Sequence, residues 1–129
     1  MKRTSQGGLM KYDWLDGYCL AKAGTDKDFK TEWEVTRYML RGKMYAMVGG
    51  NKEGQPIITL KLEPERGMAL REAYADIVPG YYMNKVHWNS VSLLGSVPDE
   101  VLKSMIDESY RLLLASFSKK TQKEIAGAE

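Results

Sequence analysis

The residues best suited to chemistry in this chain lie close together in the segment 79–93, PGYYMNKVHWNSVSL. It contains the only histidine, His87, with Trp88 beside it, Lys85, and the two asparagines Asn84 and Asn89. Lysine can bind phosphate, asparagine can hydrogen-bond to base edges, and an aromatic ring can stack on a base or wedge between bases. This combination indicates a surface that binds nucleic acid.

A second group of basic residues surrounds the dipeptide Arg41-Gly42. Arg37, Arg41 and Lys43 fall around this predicted hairpin turn, and residues 31–62 carry five lysines or arginines against three acids. Basic side chains at a hairpin tip can reach the phosphates of double-stranded DNA. Together the two groups predict a DNA contact made by two hairpins. The net charge of +2 implies that this contact is weak and sensitive to salt.

Catalytic and metal-binding chemistry has few candidates in the sequence. One cysteine and one histidine are too few for a zinc site. Cys19 also lies on the apolar side of a predicted helix, where cysteine usually behaves as a small hydrophobic residue. The adjacent Asp107 and Glu108 are interpreted as solvated helix surface or as a cap to a neighbouring turn, and not as an acid–base pair. We therefore expect no enzyme activity, no metal and no cofactor.

Length and composition are those of one globular domain. The chain has 129 residues, of which 43% are hydrophobic and 28% charged, close to the averages of soluble proteins. No apolar run approaches the ~20 residues of a membrane span, and the first thirty residues lack the apolar core of a signal peptide. These features predict a cytoplasmic monomer without a membrane contact.

Periodicity predicts a helix and then three strands in the first half of the chain. The helix runs from Leu9 to about Ala23, with Gly24 as its C-cap. Alternating residues then predict a hairpin of strands 31–40 and 43–48. After a turn-rich loop, a third strand is predicted over residues 57–62.

Two further helices are predicted in the second half. Pro64 suits the first turn of a short helix that ends before Pro79-Gly80. The residues of this helix expected to face the core are Met68, Leu70 and Tyr74. Ser96 and Asp99 are expected to form a capping box at the start of the last helix, which ends near Ser118.

Between these helices, two extended segments predict a second hairpin. Residues 81–83 and 87–93 are the expected strands, and Asn84-Lys85 is the turn. Successive residues of a strand point to opposite faces, so His87 and Trp88 should be separated. We expect His87 to be partly covered by the core and Trp88 to lie on the other face. There, Trp88 would either mark a binding site or cap the edge of the core beside Tyr81 or Tyr82.

The element order α-β-β-β-α-β-β-α predicts an α+β protein. Its simplest form is a two-layer α/β sandwich in which an antiparallel sheet carries helices on one face. The other face is expected to be open to water or to a partner. Residues 1–8 are predicted to be a flexible tail, 9–118 a single domain and 119–129 a frayed C-terminal tail.

Several short segments resemble those of one known family. They are GKMYAMV, PERG, PGYYMNKVHWNSVSL, VPD and IDESY, spread over about residues 15–120. On them the chain is similar to the MmcQ/YjbR family of small bacterial proteins, often described as DNA-binding. The resemblance implies a secretion-chaperone-like, or CyaY-like, fold and a double-wing DNA-binding surface. The chain departs from the family at Tyr82, where histidine is more frequent.

Two other functions are compatible with the sequence. A protein-interaction or chaperone-like adaptor module would use the open sheet face, where methionines such as Met39, Met44, Met47 and Met83 could adapt to a partner. A small-molecule sensor would need a closed apolar pocket between sheet and helices. A basic stripe would favour DNA as the partner, whereas a broad apolar patch would favour another protein.

Overall fold

The computed structural model describes residues 11–80 and 84–127. In chain order the elements are α1 (Leu15–Leu20), β1 (Thr25–Lys30), β2 (Val35–Leu40), β3 (Lys43–Gly50), β4 (Pro56–Lys61), α2 (Pro64–Ala73), β5 (Ile77–Pro79), β6 (Trp88–Ser92), α3 (Asp99–Ala115) and α4 (Lys119–Gly127). Within these described ranges, none of the helices is both long and apolar enough to cross a bilayer.

The strands form one open antiparallel sheet with the order β1-β2-β3-β4-β6-β5. The turn between β2 and β3 is the predicted one. Arg41 and Gly42 both have positive φ, 51° and 80°, as in a type I′ turn, whose twist matches that of the flanking strands. The predicted α+β class and antiparallel sheet are therefore confirmed, with six strands instead of five.

The hydrophobic core lies between one face of the sheet and the helices. Its buried members include Tyr38, Leu40, Ile58, Leu60 and Val91 from the strands, Leu15 and Cys19 from α1, Leu102, Met105 and Ile106 from α3, and Ile125 from α4. Because Leu70 of α2 also packs against this cluster, all four helices of the described ranges contribute to the same core.

Polar contacts fasten α3 to the sheet at one level. The buried Ser109 hydroxyl donates to the carbonyl oxygen of Tyr45 at 2.5 Å and accepts the backbone N–H of Lys61 at 2.9 Å. One residue earlier in α3, the Glu108 carboxylate accepts the backbone N–H of Glu63 at 3.0 Å. Since buried polar groups that lose their partners are costly, these bonds fix where α3 crosses β3 and β4.

The opposite face of the sheet is covered at its centre. Met47, Thr59 and Ser90 form a row across β3, β4 and β6, and their exposed fractions are only 2%, 0% and 1%. The hydroxyls of Thr59 and Ser90 are 2.9 Å apart and hydrogen-bonded. The expectation of an open face is thus wrong for this central row.

Two strands differ from those predicted. The sequence TDKDFK was assigned to no element, but it forms β1 and pairs with β2 along its whole length. Aspartate is depleted in strands, so local propensity did not indicate one here. Residues 31–34 consequently form the β1–β2 turn, and β2 begins only at Val35. The strand before β6 is Ile77–Pro79, in a stretch that was expected to belong to the preceding helix.

The helices differ mainly at their ends and on the side they bury. Residues 119–127, predicted to fray, form α4, and Ile125 is buried. α3 begins at Asp99 without a side-chain cap, so the Ser96/Asp99 capping box is wrong. In α2, Met68 is exposed and the buried residue is Gly67, because the helix packs closely on the sheet there. α1 covers Leu15–Leu20, a shorter stretch than predicted.

Some predictions concern residues outside the described ranges. They are the flexible tail 1–8, the strand 81–83, the departure at Tyr82, the side chain of Met83 and the last two residues of the chain. These stay predictions.

Candidate nucleic-acid interface

Both hairpin turns lie at the same end of the sheet. Lys43 begins β3, Lys61 ends the neighbouring β4, and Lys61 pairs with Trp88, the first residue of β6. The β2–β3 turn at 41–42 and the described residues of the β5–β6 connection, 80 and 84–87, therefore lie at one end of the sheet, which we call the tip end. Three strand spacings separate the axes of the two hairpins, which is about 14 Å at about 4.8 Å per strand.

The first hairpin carries two exposed cations at its turn. Arg41 and Lys43 are both exposed. The Arg41 guanidinium is 3.7 Å from the Glu124 carboxylate of α4, and both side chains are about half exposed, so water screens this ion pair strongly. Both cations are therefore accessible to an anionic ligand.

Arg37, the third predicted DNA contact of this hairpin, is hydrogen-bonded within the sheet. Its guanidinium donates two hydrogen bonds to the Asp28 carboxylate across β1 and β2, at 2.9 and 2.6 Å. These hydrogen bonds lower the pKa of Asp28 and raise that of Arg37. The charge of Arg37 is thus largely balanced within the protein.

In the second hairpin, two predicted contacts shape the connection itself. The Asn84 side-chain oxygen accepts the backbone N–H groups of Val86 and His87, at 2.8 and 3.3 Å, which is an Asx-type turn. The Lys85 amine donates to the carbonyl oxygen of Gly80 at 2.8 Å. Both side chains are exposed and can therefore reach a ligand. Because each is also hydrogen-bonded within the turn, it would have to contact the ligand while keeping that hydrogen bond.

His87 is the last residue of the turn before β6, and Trp88 is the first residue of that strand. Both are half-buried. The His87 carbonyl oxygen accepts the backbone N–H of Leu62 at 2.8 Å and so joins the base of the hairpin to β4. Trp88 shares its face with Lys61, its cross-strand neighbour.

Asn89 is unavailable to a base edge. It is fully buried beneath α2, where its side-chain oxygen accepts a hydrogen bond from the Arg71 guanidinium and its amide donates to the His87 carbonyl oxygen at 3.2 Å. Gly67 approaches so closely that a Cβ added there would lie 2.9 Å from this oxygen. Its assignment to direct DNA contact is therefore wrong for this conformation.

Lys61 is a candidate that the sequence analysis missed. It is exposed at the end of β4, between the two hairpins. The alternation of Ile58, Leu60 and Leu62 already indicates that Lys61 points away from the core. Its position beside Trp88 depends on the pairing of β4 with β6, which local patterns do not specify.

The other chemistries find little support in the described part of the chain. There, no three histidine, cysteine or acidic side chains come together as metal ligands. Burial raises the pKa of the Cys19 thiol to about 12, which disfavours the nucleophilic thiolate. A cleft between α1 and the sheet is lined by apolar Leu15, Val48 and Leu93 but also by charged Asp16 and Lys27, unlike the closed apolar pocket of a sensor.

Comparison with known proteins identifies the family. A family model described as YjbR matches residues 20–112. The chain is 35% identical over 94 residues to the "Uncharacterized protein YjbR" of Escherichia coli strain K12, which covers 73% of this chain and 79% of that protein. The chain belongs to the YjbR family.

Solved structures agree with this membership. The crystal structure of the Deinococcus radiodurans protein DR2400, with the domain DUF419, has a TM-score of 0.80 and 32% identity, covering 89% of this chain and 87% of that one. A Pseudomonas syringae protein has a TM-score of 0.68 and 27% identity, with coverages of 78% and 96%. The YjbR match includes every strand and both hairpins but ends before α4.

Proposed function

We propose that this YjbR-family protein binds double-stranded DNA weakly, through the tip end of its sheet and without catalysis. The observation that carries the proposal is the common direction of the two hairpins, which brings exposed cations to two places about 14 Å apart. Lysine and arginine side chains so arranged can contact phosphates on both sides of a groove.

The residues divide into contacts and supports. Arg41 and Lys43 of the first hairpin, and Lys61 and Lys85 near the second, contact phosphates. Trp88 and His87 lie at the base of the second hairpin, where the tryptophan ring can approach the sugar-phosphate backbone. The supporting set consists of Arg37, Asn84 and Asn89, whose side chains are hydrogen-bonded within the protein. Lys85 belongs to both sets, because its amine also donates to the Gly80 carbonyl oxygen.

Fluorescence anisotropy of a labelled DNA duplex tests the proposal. The test variant is Arg41→Glu/Lys43→Glu, which reverses two exposed charges at the tip end. The matched control is Lys30→Glu/Lys52→Glu, which makes the same net charge change at the opposite end of the sheet. We expect the test variant to lose at least tenfold in affinity at near-physiological salt and the control to lose much less.

Equal losses of affinity in both variants would show that binding depends only on the net charge of the protein and not on the tip end. That result, or the absence of binding by the unmodified protein, would contradict the proposal. Circular dichroism of both variants checks that the fold is intact. Lys61→Glu then tests the surface beside the second hairpin, since Lys61 is exposed at the end of β4 and lies outside the turn itself.

The adaptor alternative receives less support. The central row of the face it would use is buried, and the large exposed apolar side chains of the described residues belong to several different elements and connections. They are Leu20, Phe29, Trp33, Met68, Val78, Val86 and Leu94. A broad apolar patch is the feature that would favour an adaptor on that face.

A further inference from the structure

The two edges of the sheet have different chemistry. The β5 edge is three residues long and ends in Pro79, and short length and proline both discourage pairing with another strand. The β1 edge is six residues long and contains no proline. Because an unpaired strand edge is a template for a further strand, β1 is where this sheet can be extended.

Large exposed apolar side chains accompany the β1 edge. Phe29 in β1 is 60% exposed, and Trp33 in the turn that follows is 55% exposed. The charged residues of the strand have mixed signs. Asp26, Asp28 and Lys30 lie on the face away from the core, while Lys27 and Phe29 lie on the helix-bearing face. A strand with this pattern is complementary only to particular partners and registers.

We propose that β1 is a self-association surface, on which β1 of a second copy pairs antiparallel about a two-fold axis at Asp28. Symmetric pairing places residues of the same face opposite each other, which leaves two central registers. In the register centred on Lys27, Lys27 faces the partner's Lys27 and Asp26 faces the partner's Asp28. Neither pairing joins opposite charges, and because Lys27 is already paired with Asp16 at 2.7 Å and Asp28 with Arg37 at 2.6 Å, this register adds no ion pair.

The register centred on Asp28 brings complementary groups together. Asp26 then faces the partner's Lys30, and symmetry repeats this ion pair. The aliphatic stem of Lys27 covers the partner's Phe29. The two Asp28 carboxylates meet at the axis, but each is already neutralised by its own Arg37 at 2.6 Å. Lys30 gives up a loose contact with Glu32 at 3.9 Å and a cation–π contact with Trp33, whose ring centroid lies 5.1 Å from the lysine amine.

The dimer should be weak. Stable protein complexes usually bury a total surface area of about 1,200 Å² or more, and a single pair of strands buries less. Association should therefore appear only at high protein concentration. The surface is separate from the tip end, and this inference does not depend on DNA binding. An extended segment of another protein could use the same edge, and the test below separates that outcome.

Sedimentation velocity of the full chain from about 10 µM to about 1 mM measures the association. The variant Asp26→Lys places a lysine opposite the partner's Lys30, and we expect dimerisation to weaken at least about tenfold because both symmetric ion pairs become repulsive. The swap Asp26→Lys/Lys30→Asp restores opposite charges, so it should recover most of the association. Glu53→Lys makes the same charge change as the first variant in an exposed loop and should have little effect.

Thermal unfolding of each variant distinguishes weaker association from a damaged fold. A monomer at every concentration would overturn the proposal and leave the edge to a strand of another protein. An Asp26→Lys/Lys30→Asp protein that dimerises no better than Asp26→Lys would also overturn it, since the assigned register requires recovery. Amide exchange that slows with concentration at residues 25–30 in the unmodified protein, and not in Asp26→Lys, would support it.

Discussion

Asn89 shows how a side chain suited to contact a base can be used by the fold instead. Its amide joins α2, through Arg71, to the carbonyl of His87, and no solvent reaches it. This bond fixes the second hairpin against α2. The residue type correctly indicated a polar contact, but in this structure the contacts are with other residues of the same protein.

Asn89→Ala should therefore lower stability while leaving DNA affinity unchanged. The substitution leaves the Arg71 guanidinium and the His87 carbonyl without this partner, at a cost of about 1–3 kcal/mol in the free energy of unfolding. Urea denaturation measures the loss, and Gln55→Ala, an exposed amide, is the control with an expected change within about 0.5 kcal/mol. A stable variant with reduced DNA affinity would instead return Asn89 to the interface.

The ion pair of Arg37 with Asp28 should make the stability of the fold depend on pH. Its hydrogen bonds lower the pKa of Asp28, so the pair stabilises the fold above the unfolded-state pKa, and this stabilisation is lost as pH falls through the folded-state pKa. In Arg37→Gln, an NMR titration should show the pKa of Asp28 returning toward its ordinary value. Lys52→Gln is the control, and an unshifted Asp28 in Arg37→Gln would show that the ion pair does not persist in solution.

Among the elements, α4 has the least local support and a clear tertiary anchor. Its sequence, KKTQKEIAG, is mostly polar, but Ile125 is only 1% exposed. Gly24 provides the space: a Cβ there would lie 3.1 Å from both Ile125 and Leu40. A single apolar side chain thus attaches the helix beside the first hairpin.

Ile125→Ala should remove that anchor. Truncation of a fully buried isoleucine costs about 2–5 kcal/mol, and the absence of other buried residues in α4 favours local detachment of this helix. Amide exchange should then accelerate in α4 before it does so in the sheet. Lys123→Ala, at an exposed position, is the matched control. Unchanged exchange in Ile125→Ala would mean that other contacts hold the helix.

At the scale of the whole molecule, the sheet order determines the surface proposed for DNA. The hairpins are distant in sequence, and only the pairing of β4 with β3 and β6 directs them to one end. This arrangement gives the proposed surface its four cations, Arg41, Lys43, Lys61 and Lys85.

Four phosphate contacts predict a definite salt dependence. The slope of log affinity against log salt should be about −3.6, which corresponds to a loss of roughly a hundredfold between about 50 and about 200 mM salt. Arg41→Glu/Lys43→Glu should make the slope shallower by about 2. Anisotropy titrations at several salt concentrations measure both values. A slope near −1 would mean that most of these cations do not contact DNA.

The sequence by itself determined the features that depend on local rules. The Arg41-Gly42 hairpin follows from turn chemistry, and the periodic apolar residues of α3 specify a buried helix face. The family followed from motifs spread along the chain, and the α+β class followed from the order of the elements. Residue types also indicated which side chains could bind a phosphate or a base.

The tertiary structure decided the features that depend on contacts between distant segments. TDKDFK is a strand because β2 pairs with it, and KKTQKEIAG is an ordered helix because Ile125 fills a space beside Gly24 and Leu40. The same contacts buried Asn89, neutralised Arg37 and placed Lys61 beside Trp88. Burial and pairing are properties of the packed chain, and their energies outweigh the small local preferences that a sequence pattern reports.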